Sequence, residues 1–139
     1  MNTRCALTIV IPCKDDPRVL ECLASIDVDC EVLVVVNGSS DAFVTAISVA
    51  LAEAGAVMIY RKEANLSAAL EHGVQTAGND AILFMDADCQ FEPGTIDRLY
   101  AAMTTGGAEN KVYKGSVCFD RGHGYLPRLI ARSRHVHTT

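Results

Sequence analysis

Several features that would assign the chain to a familiar class are scarce or missing. The sequence has no tryptophan, and it has 12 basic side chains against 17 acidic ones. The resulting net charge of -5 argues against nucleic acid as a main partner, because phosphate backbones are bound by an excess of lysine and arginine. We therefore expect a partner other than DNA or RNA.

The six cysteines contain no C-x-x-C pair, which excludes the spacing of a thioredoxin motif or a zinc knuckle. The first residues lead straight into a strand-like run and show no signal peptide. Because disulfide frameworks belong mostly to secreted domains, we expect free thiols and a cytoplasmic location.

No apolar run is typical of a membrane span. Residues 42–60 carry a single charge, Glu53, but they contain Gly55 and change from helical to strand-like periodicity. This segment therefore predicts a helix followed by a strand.

A glycine-rich phosphate loop is missing as well. The residues after the first predicted strand, 12–15, match neither G-x-G-x-x-G nor G-K-[ST]. Dinucleotide binding of the usual Rossmann type and P-loop chemistry are therefore poorly supported. A phosphate group here would be held by a metal ion and cationic side chains rather than by a glycine nest.

What the sequence does have is an alternation of apolar strands and amphipathic helices. Half of its 139 residues are hydrophobic and 21% are charged, which suits one compact domain with a core. The alternation predicts the α/β class, with a mostly parallel sheet and helices on both faces. Strands are predicted over 7–11, 32–36, 56–60, 81–85 and 111–119, and helices after Asp16-Pro17, Ser40 or Asp41, Asn65 and Pro93-Gly94, with a weakly helical segment over 125–137.

Polar clusters follow the first four predicted strands, over 13–16, 37–41, 61–65 and 86–90. In parallel sheets such clusters meet at the carboxyl edge, where ligands bind. Asp86 and Asp88 are two residues apart after an apolar strand, so an extended backbone directs both carboxylates to one side. Two like charges this close favour a divalent cation of the kind that bridges phosphate oxygens.

Four segments, in this order and spacing, resemble the motifs of family-2 glycosyltransferases. The likeness covers about residues 6–105 and implies the GT-A fold, a Rossmann-like nucleotide-sugar module. It also implies transfer of a sugar from a nucleoside-diphosphate sugar, most commonly a UDP-sugar, to a saccharide or a lipid-linked acceptor. The segments are Ile9-Val10-Ile11-Pro12-Cys13, Val34-Val35-Val36-Asn37-Gly38-Ser39-Ser40-Asp41, Asn65-Leu66-Ser67-Ala68-Ala69 and Leu83-Phe84-Met85-Asp86-Ala87-Asp88.

The resemblance implies donor-binding roles for residues at these strand ends. Asp86 and Asp88, with Ala87 between them, are implied to hold Mn²⁺ or Mg²⁺ against the diphosphate. Asn37 stands where an acidic residue commonly contacts the base, and an amide can both donate to and accept from a pyrimidine edge. The other residues of the implied donor site are Pro12, Cys13, Asp15 and Asp41.

Three cationic groups have two interpretations each. Arg61 and Lys62 could reach the diphosphate from the end of the third strand, or could be solvated loop charges. His135 and His137 lack a third metal ligand at suitable spacing, which favours a frayed terminus. All 17 acids lie at or before Asp120, so the tail is basic. We expect it either to pack onto the rest of the domain or to contact the inner membrane face.

No catalytic base can be named from the sequence. Members of the family that invert the sugar configuration take it from an acidic residue well past the D-x-D, beyond where this chain reaches. The later acids lie in no such motif; they are Glu92, Asp97, Glu109 and Asp120. We therefore expect residues 1–139 to form a single, incomplete domain, truncated on the acceptor side, that supplies the donor-binding half.

Two other functions compete with this one. A module that binds nucleotide sugars without transferring them would explain a missing base. A phospho-acceptor receiver domain would suit the length and the Asp15-Asp16 pair. That fold needs an aspartate after the third strand, where Arg61-Lys62 stand, and a proline after the lysine at position 114, where Gly115 stands.

Overall fold

The computed structural model describes residues 4–105, 112 and 115. The chain divides into two units, residues 1–109 and 110–139, and the description below concerns the first. Apart from Val112 and Gly115, the predicted strand over 111–119, the helix over 125–137 and the basic tail lie outside the described residues. The described elements alternate as predicted: β1 (Leu7–Cys13), α1 (Val19–Ala24), β2 (Glu31–Asn37), α2 (Asp41–Glu53), β3 (Val57–Arg61), α3 (Leu66–Thr76), β4 (Ala81–Phe84) and α4 (Thr95–Thr105).

The four described strands form one parallel sheet in the order β3-β2-β1-β4. Ile9, for example, pairs with Val32 on one side and with Leu83 on the other. The chain thus changes direction across the sheet after β3, which makes the crevice beyond β1 and β4 a topological switch point, the usual ligand site of open α/β sheets. This order also excludes the receiver-domain alternative, whose first strand lies between the second and third.

Helices cover both faces of the sheet, which confirms the prediction. α1, α2 and α4 pack on one face through Val19, Ile47 and Ile96, and α3 packs on the other through Ala69. Because both faces are covered, the strands read as continuous apolar runs rather than alternating ones. The residues facing the three helices are Leu7, Ile9, Ile11, Val34 and Val36, and those facing α3 are Val10, Leu33, Val35 and Ile59.

Two helices begin at the side-chain caps that the sequence predicts. The Ser40 hydroxyl accepts from the backbone N–H of Phe43, 3.3 Å away, at the start of α2. The side-chain Oδ1 of Asn65 accepts from the backbone N–H of Ala68, 3.0 Å away, at the start of α3. Each bond satisfies one of the donors left free in a first helical turn. Both caps lie at the carboxyl edge of the sheet, so they hold the loops there.

α3 approaches the sheet most closely at Gly73. A β-carbon at this position would overlap the Cγ1 of Val10, whose side chain is fully buried. Glycine here allows the helix axis to lie low over β1.

The amino edge of the sheet carries a closed polar network. The hydroxyl of Thr8, which is fully buried, donates to Glu31 Oε2 at 2.5 Å and accepts from Asn79 Nδ2 at 3.1 Å. The same Glu31 oxygen accepts from the backbone N–H of Gly78 at 2.8 Å. These bonds hold the pKa of the Glu31 carboxyl below its ordinary value, the Thr8 hydroxyl first and the Gly78 N–H second.

Among the described helices, none has the length and hydropathy needed to cross a bilayer. The weakly charged segment over 42–60, which was considered as a possible membrane span, forms most of α2 and then β3, as its change of periodicity predicts.

Candidate functional site

A cavity of about 490 Å³ opens at the carboxyl edge of the sheet. It collects residues from the ends of all four described strands, at the switch point that the topology defines. All four polar clusters of the sequence contribute to its wall. The lining residues are Pro12, Cys13, Lys14, Asp16, Asn37, Ala64, Asn65, Leu66, Asp86, Ala87 and Asp88.

The carboxylates of Asp86 and Asp88 line the cavity just past β4. A turn closed by the N–H of Cys89 on the carbonyl of Asp86, at 3.1 Å, carries them. Ala87 between them is buried in the core, which anchors the turn while both carboxylates remain exposed. The structure therefore brings the predicted pair together on one wall.

This turn brings together side chains of a kind that can hold a divalent cation. Asp86, Asp88 and the Cys89 thiol each offer one ligand atom, and these atoms lie within 4.8 Å of one another. Carboxylate oxygens are preferred by Mg²⁺ and Mn²⁺, whereas sulfur is a softer ligand that Mg²⁺ does not favour. The carboxylate pair fits the ion that the sequence predicts.

Arg18, which the sequence analysis did not single out, lies beside this turn. Its guanidinium donates to both Asp16 carboxylate oxygens, at 2.9 and 2.7 Å, and its Nη2 is 4.0 Å from Asp88 Oδ2. The bonds to Arg18 hold the pKa of the Asp16 carboxyl below its ordinary value. Asp16 is therefore a fixed negative charge on the wall, and Arg18 partly offsets the charge of Asp88.

Three cysteines of this region are neutral thiols. Burial raises the pKa of the Cys13 thiol, which lines the cavity and donates to the carbonyl of Asp16 at 3.4 Å. Burial raises the pKa of Cys22 to about 12 and also raises that of Cys89, where Asp88 adds to the effect. Because nucleophilic attack requires a thiolate, Cys13 acts as part of the wall at neutral pH.

Asn37 is the most buried polar residue of the site, with 6% of its surface exposed. Its Oδ1 accepts from the backbone N–H of Asn65 at 3.1 Å, which ties the end of β2 to the start of α3. The next residue, Gly38, has a φ of +66° and donates its N–H to the carbonyl of Arg61 at 2.9 Å. A β-carbon on Gly38 would meet Ala64 at 2.5 Å, so glycine permits this close approach.

Asp15 and Asp41 lie at this edge but not on the cavity wall. Asp15 has a φ of 48°, and its Oδ1 accepts from the N–H and the hydroxyl of Ser40 at 2.9 and 3.2 Å. Its own N–H donates to the Ser39 hydroxyl at 3.0 Å. Asp41 is an exposed residue of the first turn of α2. Asp15 thus joins two loops of the site, while neither carboxylate faces the cavity.

The cation on the cavity wall is Lys14, not Arg61 or Lys62. Arg61 shares the face of Ile59 and turns toward α3, where its Nη1 lies 3.5 Å from His72 Nδ1. Lys62 is exposed outside the wall. Lys14 and Ala64 belong to the predicted polar clusters, but no role was predicted for either. Asp16 and Asn65 were predicted only as helix starts, and Asn65 and Leu66 lie in one of the family-like motifs.

Comparison with known proteins bears on the family and the fold of the chain. The chain matches the model of glycosyl transferase family 2 over residues 8–137. No curated protein sequence matches it. The crystal structure of S. aureus TarS is similar to it, with a TM-score of 0.61 and 15% identity, over 81% of this chain and 24% of that one. The chain thus spans about a quarter of that protein, and the likeness confirms the predicted GT-A fold.

The family match covers nearly the whole sequence, well beyond the motifs that first pointed to it. The chain belongs to glycosyl transferase family 2.

Proposed function

We propose that this chain binds the nucleoside-diphosphate sugar of a metal-dependent glycosyl transfer reaction. One observation carries the proposal: residues from four strand ends meet in a single cavity at the switch point, with paired carboxylates on its wall. The family match and the GT-A fold support the same class of reaction. A saccharide or a lipid-linked molecule is the acceptor class we expect.

The charges on the wall explain why an ion is required. Asp16, Asp86 and Asp88 line the cavity, and Lys14 is the cation among the lining residues. Arg18 beside the wall pairs with Asp16, so the carboxylates of Asp86 and Asp88 keep the local charge negative. A diphosphate entering this wall would be repelled unless a divalent cation reversed the local sign. Asp86 and Asp88 would hold Mn²⁺ or Mg²⁺, and Lys14 would add one direct contact to a phosphate oxygen.

In the transfer reaction, the bond from the anomeric carbon to the phosphate oxygen breaks as the acceptor oxygen bonds to that carbon. A bound Mn²⁺ or Mg²⁺ would supply neutralisation of the departing diphosphate. Lys14 donates to the same departing charge and orients it. The described carboxylates on the wall are Asp16, paired with Arg18, and the two ion ligands. We therefore expect the acceptor's proton to leave to a group outside this set.

The cytoplasmic location is part of this proposal. The five cysteines among the described residues are free, which fits a reducing compartment.

Isothermal titration calorimetry tests the proposal directly. Nucleoside diphosphates are titrated into the protein with Mn²⁺, with Mg²⁺ or with EDTA. We expect binding that depends on the ion and falls about 100-fold or more in Asp86→Asn and Asp88→Asn, because each loses a charged ion ligand. Asp97→Asn, an exposed carboxylate in the first turn of α4 outside the cavity, is the matched control and should bind normally.

Equal affinity in EDTA and in both variants would contradict the proposal. Release of the nucleoside diphosphate from a nucleotide sugar would separate an enzyme from the alternative, a module that only binds the donor.

A further inference from the structure

Arg18 is a cation beside the carboxylate pair, outside the wall of the cavity. Its guanidinium is held from one side, because Nε and Nη2 donate to the two Asp16 carboxylate oxygens at 2.9 and 2.7 Å. The backbone N–H of Arg18 donates to Asp16 as well, at 3.0 Å. The same Nη2 lies 4.0 Å from Asp88 Oδ2, which is too far for a hydrogen bond but within the range of an ion pair. Asp16 thus fixes a positive charge next to one of the two proposed ion ligands.

This charge acts differently on an ion alone and on an ion that carries a diphosphate. A bare divalent cation at Asp86 and Asp88 would be repelled by the guanidinium and would compete with it for Asp88. A nucleoside diphosphate brings more negative charge than the ion brings positive charge, so the two together would be attracted. The Arg18 and Asp88 side chains are 61% and 49% exposed, so water weakens each effect to about fivefold in affinity.

We propose that Arg18 couples the binding of the divalent cation to the binding of the diphosphate. It lowers the affinity of the site for the bare ion and raises the affinity for the diphosphate together with its ion. The donor is therefore bound with its ion as one unit, and the site discriminates against free divalent cations. This inference rests on the proposed function. A purely structural role for Arg18, in which it only holds the loop before α1 through Asp16, would change both affinities in the same direction.

Two titrations of the chain measure the two effects separately. The electron paramagnetic resonance signal of free Mn²⁺ gives the affinity for the ion alone. Calorimetry with UDP, CDP, ADP and GDP in saturating Mn²⁺ gives the affinity for the diphosphate. In Arg18→Gln we expect Mn²⁺ alone to bind about fivefold tighter and the diphosphates that bind to do so about fivefold more weakly. Arg18→Lys keeps the charge and should retain most of both original affinities, and added salt should shrink both shifts.

Arg4 provides a matched control. Its Nε lies 4.0 Å from Asp29 Oδ1, and the two side chains are 64% and 58% exposed, so this pair closely resembles that of Arg18 and Asp88. Arg4 precedes β1 and therefore lies at the amino edge of the sheet, opposite the cavity. Arg4→Gln removes the same charge there and should leave both affinities unchanged.

A second background locates the cause at Asp88. Loss of Arg18 also leaves the charge of Asp16 uncompensated, which would by itself attract an ion and repel a diphosphate. In Asp16→Asn this charge is absent, so the further change Arg18→Gln should still shift the two affinities in opposite directions. Shifts that vanish in this background would overturn the inference, because Arg18 would then act only by neutralising Asp16.

Two other results would also overturn the inference while leaving the proposed function intact. In one, both affinities fall in Arg18→Gln; in the other, they change no more than in Arg4→Gln. Thermal denaturation should show that each variant is folded before its affinities are compared. If the original chain showed no ion-dependent binding of any of the four diphosphates, the proposed function itself would be refuted.

Discussion

The two edges of the same sheet use polar side chains in opposite ways. At the amino edge, Thr8, Glu31 and Asn79 satisfy one another, and the fully buried hydroxyl of Thr8 both donates and accepts. At the carboxyl edge, Asp86 and Asp88 are exposed on the wall of the cavity. A closed network stabilises the fold, while an open one retains binding capacity.

The two edges are joined by α3. Its N-cap, Asn65, belongs to the cavity wall, and Gly78, just past its end, donates to Glu31 at the amino edge. A change in α3 should therefore disturb both edges, while a change in one network should affect stability or binding separately. Substitutions of Gly73, Glu31 and Asp15 test whether stability and binding can be changed separately.

The largest effect on stability is expected for Gly73→Ala. The added β-carbon would overlap Val10 Cγ1 in a fully buried site, and α3 would have to lift from β1. Overpacking outweighs the gain in helix propensity, so we expect a net loss of about 2 kcal/mol in the free energy of unfolding. Nucleotide affinity should fall as well. Chemical denaturation and calorimetry measure the two effects.

A second substitution checks the cause. Val10→Ala in the Gly73→Ala background removes the overlapping methyl group and should recover part of the loss, as a double-mutant cycle would show. Strictly additive losses would mean that the contact with Val10 is not the reason.

Glu31→Gln should affect stability without affecting binding. The neutral side chain accepts more weakly from the Thr8 hydroxyl and the Gly78 N–H, so we expect a loss of about 1 kcal/mol at pH 7. Affinity for nucleoside diphosphates should stay unchanged, because this residue lies at the edge opposite the cavity. A matching loss of affinity would break the separation between the two edges.

The same carboxyl predicts a pH dependence. The pKa of Glu31 is lowered in the folded chain from its ordinary value of 4.5, so its contribution is present above pH 4.5 and disappears as the pH falls through the folded value. The stability difference between the original chain and Glu31→Gln should therefore shrink in acid. Urea denaturation at a series of pH values measures it, and a difference that grows on acidification would show the wrong sign.

A loss of stability about as small as that of Glu31→Gln is expected for Asp15→Ala. This change removes the acceptor for the Ser40 N–H and hydroxyl and places alanine at a φ of 48°, which costs about 1 kcal/mol. Because Cys13 and Lys14 are next to it, nucleotide affinity should fall several-fold. Asp15→Asn keeps an acceptor and tolerates this backbone conformation, so it should bind nearly normally. Equal losses in both variants would show that charge, not loop geometry, matters at this position.

Much of the fold can be predicted from sequence because its signals are local. The run Val34-Val35-Val36 predicts a buried strand and Asn65 predicts a helix start, and both predictions are confirmed. Of the two residues predicted to begin α2, Ser40 and Asp41, the structure has Ser40 as the cap. The sheet order depends on packing between distant segments, which periodicity does not encode. No strand order was predicted from the sequence; the resemblance implied only a Rossmann-like module, and the order comes from the structure.

The site was predicted less completely than the fold, because the direction of each side chain determines whether it lines the cavity. Arg61 follows an apolar strand as the other candidates do, but its place in the alternation turns it toward α3 and His72. The orientation of the Asn37 side chain depends on the hydrogen bond that its Oδ1 accepts from Asn65, which is 28 positions away in the sequence. Neither fact is visible in spacing alone. The D-x-D spacing predicted two carboxylates on one wall, but a turn past the end of β4, and not the extended backbone that was expected, places them there.

The most direct test of the account is a crystal structure of the chain with Mn²⁺ and a nucleoside diphosphate, measured at an energy where manganese scatters anomalously. The account predicts an anomalous peak within coordination distance of Asp86 and Asp88, with the nucleoside diphosphate bound in the cavity beside it. A manganese peak and a nucleotide bound together elsewhere, with the cavity at the carboxyl edge left to solvent, would contradict it.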